Sequence, residues 1–480
     1  MVAGICFDNA RILKEAGLPG SRAQYDEDGF PRAGYLSNGL SLYTFGDEIQ
    51  GIHREREIQS NAMKVPPECT GFERVDCRGM TLMPGLIDSH VHVTASSANL
   101  RMPSTMPPSL LYARSVPILS GMLNRGFTTV RDCGGADHGL ATAVEEGSIR
   151  GPRIVHCGKA LSQTGGHGDF RGAGDVALAS GACSCCNFTI GRVCDGVDAC
   201  RAAVRDEVRK GAKHIKIMAS GGVSSPTDRL ENLQFSEEEL KCIVEEARNA
   251  GIYACAHAYT DEAIERAIRC GVACIEHGNY ASRNTLKEMR ANGTYLVPTL
   301  VTYERLKIDG VANGMSQAMV DKVADLVEAG QKTLKAATEE GVMVCYGSDL
   351  LGDMHKYQAH SIKLHLDAGV SAARVLNSLT GTPGRLLGKP WSWMRAMKNI
   401  NAKPHVSKEK SHLQQLRIGR LSPGFKADVI LVDGDVANDP TVLMDENNIK
   451  LVVKDGVIVK NILDKKDDDD DRRKRVKRET

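Results

Sequence analysis

Asp88, His90 and His92 stand at i, i+2 and i+4 within residues 81–94, TLMPGLIDSHVHVT. On a β-strand that period of two puts all three side chains on one face, with Ser89 and Val91 on the other. Two imidazoles side by side at a strand end are a ready pair of metal ligands. A bare His-x-His can equally be two polar residues at a strand end, so recurrence has to decide. A later strand-like run, HIKIMASGG, puts Lys216 in register with His214 and Met218. A lysine facing a closed interior is costly as a charge, so it is paired, neutral or chemically altered. Further strand-like runs close on Ala256-His257, Glu276-His277 and Gly347-Ser348-Asp349.

Taken singly, each has a bland reading: a capping Asp, or a core His bonded to backbone. Taken together, four imidazoles, one carboxylate and one bridging oxyanion can hold two divalent ions about 3.5–4 Å apart. Such ions acidify water towards hydroxide near neutral pH and polarise a scissile carbonyl. Asp349 can take the water's proton and pass it to a leaving amine. Lys216 fits the bridge if its amine, kept neutral by burial, is carbamylated to N6-carboxylysine. Zinc is the default metal, with manganese, cobalt or iron as alternatives.

Candidate substrate contacts surround this set. The glycine-rich loop 161–174, LSQTGGHGDFRGAG, holds His167, which can hydrogen-bond a carbonyl or carboxylate. Tyr259, two residues past His257, points with it on a strand, and Tyr303 follows the seventh strand. Glu276 alternates to the face opposite His277 and reads as supporting a ligand or as structural rather than catalytic, whereas Asp88 sits one pleat deeper than the ligands and reads as supporting a ligand rather than binding metal. Cys183, Cys185, Cys186 and Cys194 resemble a small zinc cluster, but their CxCC spacing departs from the usual Cx2C pairs.

The elements that must position these residues alternate between strand and helix signals from 84 to 388. Helical 197–210 precedes the strand 214–218, and a helix from Ser236, opened by a capping box with Glu239, precedes 253–257. Helical 261–269, 284–291 and 317–340 precede strands at 274–277, 295–299 and 343–347. Eight strands alternating with helices over roughly 300 residues is the pattern of a parallel (β/α)8 TIM barrel. No GxGxxG opens a helix after a first strand, which counts against an open dinucleotide-binding sheet.

Both ends are β-like instead. Residues 1–83 hold short strand signals around a loose stretch at 18–34, and 416–462 contains KADVILVD and a hairpin signal at Asp455-Gly456. The expected organisation is a small β-sandwich built from 1–83 and 416–462, a barrel over 84–388, and an insertion at 389–415. A charged tail, 463–480, runs acid then base.

Bulk composition narrows the classes. Lys plus Arg (61) balances Asp plus Glu (60), so no field favours nucleic acid or an anionic membrane, despite RRKRVKR in the tail. No apolar run reaches the ~18–20 residues a membrane span requires. Fifteen cysteines, an odd number scattered through core-like strands, favour free thiols in a reducing compartment. With no signal-peptide pattern at the start, a cytoplasmic protein is expected.

The motifs PGLIDSHVH (84–92), GFTTVRD (126–132), ALSQTGGHGD (160–169) and GAKHIKIMASGG (211–222) resemble the metal-dependent amidohydrolase superfamily. ACAHAYT (254–260), IEHGNY (275–280), YGSD (346–349), TGTPGRLLG (380–388) and IGRLSPGFKADVILVD (418–433) continue the match in order over roughly 70–460. Within it the chain is similar to the imidazolonepropionase-like and Xaa-Pro dipeptidase branch, which includes a fungal ochratoxin-hydrolysing amidase. The resemblance implies a (β/α)8 barrel with a β-sandwich from both termini. It also implies that His90 and His92 bind one metal and His257 and His277 the other, with the Lys216 carbamate bridging and Asp349 as ligand and base. The segment 389–415 interrupts a join that is short in such proteins.

The functional expectation is hydrolysis of an amide or peptide C–N bond in a small carboxylate-bearing substrate, an Xaa-Pro dipeptide or N-acyl amino acid. A cyclic amide is the alternative substrate, and a non-catalytic barrel scaffold the alternative class. No nucleic-acid or membrane partner is expected, and a homo-oligomer is compatible with the sequence.

Overall fold

The computed structural model describes residues 2–13, 39–54, 69–172, 174, 189–388 and 416–463. The expectations placed on 18–34, on Cys183, Cys185 and Cys186, on the 389–415 insertion and on the tail beyond 463 lie outside the described residues.

Apolar runs bounded by turns form a closed parallel barrel. Its strands in chain order are Leu86–Val91, Phe127–Asp132, Arg153–His156 continued by Ala160–Ser162, His214–Met218, Tyr253–Ala258, Cys274–His277, Tyr295–Val297 and Met343–Val344. Most of these strands are buried on both faces, as expected where helices cover a parallel sheet. Closure between the last and first strands is made by Ser89 N donating to Tyr346 O (2.7 Å) and Asp349 N to His90 O (2.8 Å). The eighth strand is shorter than the 343–347 expected. Beyond Val344 the chain leaves the ladder and bonds piecemeal, Cys345 N to Leu296 O and Tyr346 N to Ser378 O.

Local signals explain most helices. Ser236 and Glu239 form the expected capping box on Glu237–Asn249, and Thr260 and Ser282 cap the next two helices through their side chains. One helical reading needs correction, and one helix lies outside the sequence-based expectations. Residues 317–340 form two helices, Gln317–Asp321 and Leu326–Glu339. In the intervening turn Lys322 sends its ammonium to the carbonyls of Gly222 (3.1 Å), Ser225 (3.0 Å) and Asp228 (2.8 Å). The helix Pro108–Asn124 has no counterpart in the sequence reading because Pro117 lies inside it. Burial of Leu111, Ser115, Leu119, Met122 and Leu123 along one face outweighs that lost backbone bond.

Strands from both ends of the chain pair with each other. Thr81–Pro84 runs antiparallel to Val429–Val432, with Leu82 opposite Leu431. This five-stranded sheet shares a core of Phe7, Leu42, Leu82, Leu431 and Leu451 with a four-stranded sheet of N-terminal strands. The Asp455-Gly456 hairpin is present, both residues having positive φ (49° and 75°) as a type I′ turn requires. Gly85 joins the terminal sheet to the first barrel strand. A Cβ there would meet Thr128 Oγ1 at 2.1 Å, so only glycine lets the chain pass.

Burial of neutral imidazoles makes the fold acid-sensitive. Burial pushes His156, His355 and His365 down to about 4, against an unfolded value of about 6.5. Between those pH values the unfolded chain binds protons that the folded chain refuses. Each therefore contributes stability that is full above pH 6.5 and falls by about 1.4 kcal/mol per pH unit towards pH 4. Asp88 and Asp132, raised by burial to about 6 and about 7, act in the opposite sense. With Asp349 they make three carboxylates against ten depressed histidines among the described residues, so the histidines win. The urea midpoint is expected to hold steady from pH 8 to 7 and drop steeply below 6; a midpoint that rises on acidification would refute this account.

Candidate active site

The ends of the barrel strands converge on one cavity lined by His90, His92, His167, Lys216, His257, Tyr259, His277, Tyr303 and Asp349. Every site residue singled out in the sequence is among them. The rings are in mutual contact, with centroids 5.4 Å apart for His90–His92, 5.1 Å for His90–His277 and 4.6 Å for His257–His277. Asp349 Oδ1 lies 3.5 Å from His90 Nε2 and 3.4 Å from His92 Nε2.

Each imidazole has one nitrogen engaged by the protein. His90 Nδ1 meets Glu276 Oε2 (2.8 Å), His92 Nδ1 the Gly134 carbonyl (2.8 Å) and His277 Nδ1 the Thr299 hydroxyl (2.7 Å). His257 is turned the other way, its Nε2 donating to Gly221 O at 3.0 Å. A ring that donates from one nitrogen keeps a lone pair on the other, which is the tautomer a metal needs. Burial also pushes all four rings down, His92 to about 3, so they are neutral at pH 7. Four neutral imidazoles, a carboxylate and a buried lysine in one cavity fit a pair of divalent cations.

Lys216 is fully enclosed. Burial works against its ammonium, while Cys133, Glu276, Cys255 and Asp349 favour it, and the net direction is upward. Burial alone therefore does not neutralise this amine, as the sequence reading assumed; a carbamate would need the neighbouring charge balance to change, as it does when cations enter. Asp349 is pushed up to about 7 by burial, with Lys216 pulling it down. Both Asp349 and His277 hold positive φ, 52° and 71°. Side chains of this kind pay a strain cost in that region, which is tolerated where function demands it.

The backbone twist at His277 corrects the reading of Glu276. Strict alternation sends the two to opposite faces, yet both point into the barrel. Glu276 is fully buried, holding His90 through one oxygen and Arg131 Nη2 through the other (2.6 Å). Arg131 in turn donates to the Ser89 carbonyl at 2.5 Å. Arg131 lies within the GFTTVRD motif, and a charged residue inside a barrel strand is itself a signal that an internal partner exists. Asp88, read as supporting a ligand, accepts from the backbone of His90 and Ser348 (3.1 Å each) and from Gln358 Nε2 (2.9 Å). It fixes the strand ends.

A directed chain of hydrogen bonds ends at Tyr259. His277 Nδ1–H donates to Thr299, whose hydroxyl donates to Tyr303 (3.2 Å), which donates to Tyr259 (3.1 Å). Tyr259 stacks on His277 at 5.1 Å, and its own hydroxyl proton is left for the cavity. Burial pushes both phenols well up, so they are donors at neutral pH. Tyr303 thus orients Tyr259. On the opposite wall His167 stacks on His257 (4.2 Å), its Nδ1 held by Ser225 Oγ at 2.7 Å. Ser225 is bonded to Asp228, and the Lys322 ammonium ties down this loop's carbonyls. Thr299, Ser225 and Asp228 carried no spacing signal, because each acts only through a tertiary contact.

A (β/α)8 barrel with a chemically dense mouth at the carboxyl ends of its strands is the architecture of a barrel enzyme, whose active site sits at that face. The amidohydrolase family profile matches residues 81–390. Aspergillus niger ochratoxinase is 31% identical over 388 residues, 79% of this chain and 75% of that protein. Among solved structures, an amidohydrolase superposes with a TM-score of 0.81 at 37% identity, covering 96% of this chain and 100% of the other. A prolidase complexed with N-methylphosphonate-L-proline superposes at 0.80 with 39% identity over the same shares. The chain belongs to the amidohydrolase family, and these relatives place it among hydrolases of carbon–nitrogen bonds.

Proposed function

We propose that the protein is a binuclear metal-dependent amidohydrolase that cleaves the C–N bond of a small carboxylate-bearing amide, an Xaa-Pro dipeptide or an N-acyl amino acid. The observation that carries this reading is the convergence of four neutral imidazoles, Lys216 and Asp349 on one cavity. His90 and His92 would hold one cation, His257 and His277 the other, with Lys216 as N6-carboxylysine between them. When bound, two divalent ions, zinc by default, supply acidified water and a polarised carbonyl. Asp349 takes the proton from the attacking water and returns it to the leaving nitrogen. Tyr259 donates to the carbonyl oxygen as negative charge develops there. His167 reaches the substrate from the facing wall. The prolidase relative, solved with a phosphonate analogue of an acyl-proline, supports this substrate class. The two terminal sheets complete the reading as one small β-sandwich beside the barrel.

Two measurements test it together: metal per chain on protein purified without chelator, and hydrolysis of a panel of Xaa-Pro dipeptides and N-acyl amino acids. About two equivalents with turnover of either class is the expected result. Two equivalents without turnover shifts the substrate to cyclic amides; no metal after reconstitution with zinc and bicarbonate leaves a scaffold. Lys216→Ala is expected to lose most metal and activity, with partial rescue by a short-chain carboxylic acid. Undiminished activity in that variant would end the carbamate assignment.

A further inference from the structure

A second cluster lies in the barrel interior and plays no part in the chemistry above. Cys133 follows the second strand, His214 begins the fourth and Cys255 sits mid-way along the fifth. Period-two alternation points His214 inward with Lys216, and Cys255 inward with His257, one residue pair nearer the start of each strand. All three side chains are fully buried. Their Sγ and imidazole nitrogen atoms lie within 4.8 Å of one another.

The independent observation is His214. Neither ring nitrogen has a hydrogen-bond partner, although the ring is wholly enclosed and stacked on Tyr253 at 5.7 Å. A buried imidazole with both nitrogens unsatisfied is costly, and native proteins seldom leave such groups unexplained. Two sulfurs and one imidazole are the donor set of a zinc-type ion. Charge agrees with this. The Arg131–Glu276 pair nearby is already balanced, and a divalent ion held by two thiolates and one neutral imidazole adds no net charge to the interior. On binding, each thiol gives up its proton to solvent and donates an electron pair to the ion, with no change of oxidation state.

We propose that Cys133, His214 and Cys255 form a third metal site, for zinc or a comparably thiophilic divalent ion, separate from the amide-cleaving centre. The ion would cross-link the second, fourth and fifth strands directly beneath Lys216 and His257. Because the cluster is sealed, loading accompanies folding.

Cys133 also lies within 4.8 Å of His90 and Glu276 ligand atoms, so cobalt bound with the thiolate of Cys255, which shares no such group with them, is what distinguishes this site from the catalytic one. Full-length protein produced in cobalt-supplemented medium is expected to show a thiolate-to-cobalt charge-transfer band in the near ultraviolet. The band should fall to baseline in both Cys133→Ser and Cys255→Ser and persist in Cys200→Ser. The last of these removes the other close thiol pair among the described residues, Cys194 and Cys200, whose sulfurs are 3.8 Å apart. A band kept in Cys255→Ser would assign it to Cys133 beside His90 and overturn the separate site. If Cys133→Ser fails to fold, cobalt-edge X-ray absorption on Cys200→Ser protein decides, with sulfur and imidazole expected around part of the metal. Absence of the band, its loss in Cys200→Ser alone, or a shell of only nitrogen and oxygen would overturn the proposal. None of these readouts depends on turnover, so the amidohydrolase reading can fail without this one.

Discussion

Asp349→Asn is expected to lower kcat/KM by at least about 10³-fold while the protein stays folded and keeps part of its metal. General acid–base catalysis by a positioned group supplies roughly 10²–10⁴-fold, and Asp349 is also a proposed ligand. An amide of the same shape preserves packing and the backbone bond from Asp349 N to His90 O, but cannot accept the water's proton. The oxygen 3.4–3.5 Å from His90 and His92 would survive as a neutral, weaker donor, so metal retention should be partial. Steady-state kinetics with metal content measured on the same preparation separates the two effects. Turnover near that of the parent with full metal would remove Asp349 from the base role. Loss of all metal would make it a ligand first and leave the base question to the pH profile.

Glu276→Leu should be the most damaging substitution to stability, costing about 3–5 kcal/mol. The carboxylate holds two things at once, the fully buried Arg131 guanidinium at 2.6 Å and the His90 ring at 2.8 Å. Removing it strands a charge in the barrel interior, where neither water nor another carboxylate replaces it. It also frees His90 to rotate, and losing such an orienting partner typically weakens metal binding by 10–100-fold. The companion Arg131→Met/Glu276→Leu should recover much of the stability, since an apolar pair of similar volume avoids the uncompensated charge. Metal affinity should stay low in the double variant, because the contact to His90 is still missing. Urea denaturation of both variants, with zinc affinity alongside, checks this. A single variant as stable as the parent would show that Arg131 finds another partner and that the pair is incidental.

The amino-acid sequence by itself determined the family, the barrel and the identity of the residues around its mouth. It could do so because strand and helix periods are local, and because the proposed ligands at strand ends sit two residues apart or beside a strand's last apolar residue. His90 with His92, and Lys216 amid HIKIM, announce themselves by type in an otherwise apolar run. The capping box at Ser236 and the Asp455-Gly456 turn were legible for the same reason.

What only the tertiary structure decided is how those residues are held. Glu276 belongs inside because His277 adopts a positive φ, a strain that no alternation rule anticipates. Pro117 sits within a helix because one face of that helix is buried against the barrel. Arg131 meets Glu276, Thr299 links His277 to Tyr303, and Ser225 fixes His167, all between strands or loops distant in the chain. Cys133, just past the second strand, His214 and Cys255 come from three separate segments and carry no shared spacing at all. Residue type and period are properties of a short window, whereas orientation and pairing arise only when the barrel closes and brings separate windows into one interior.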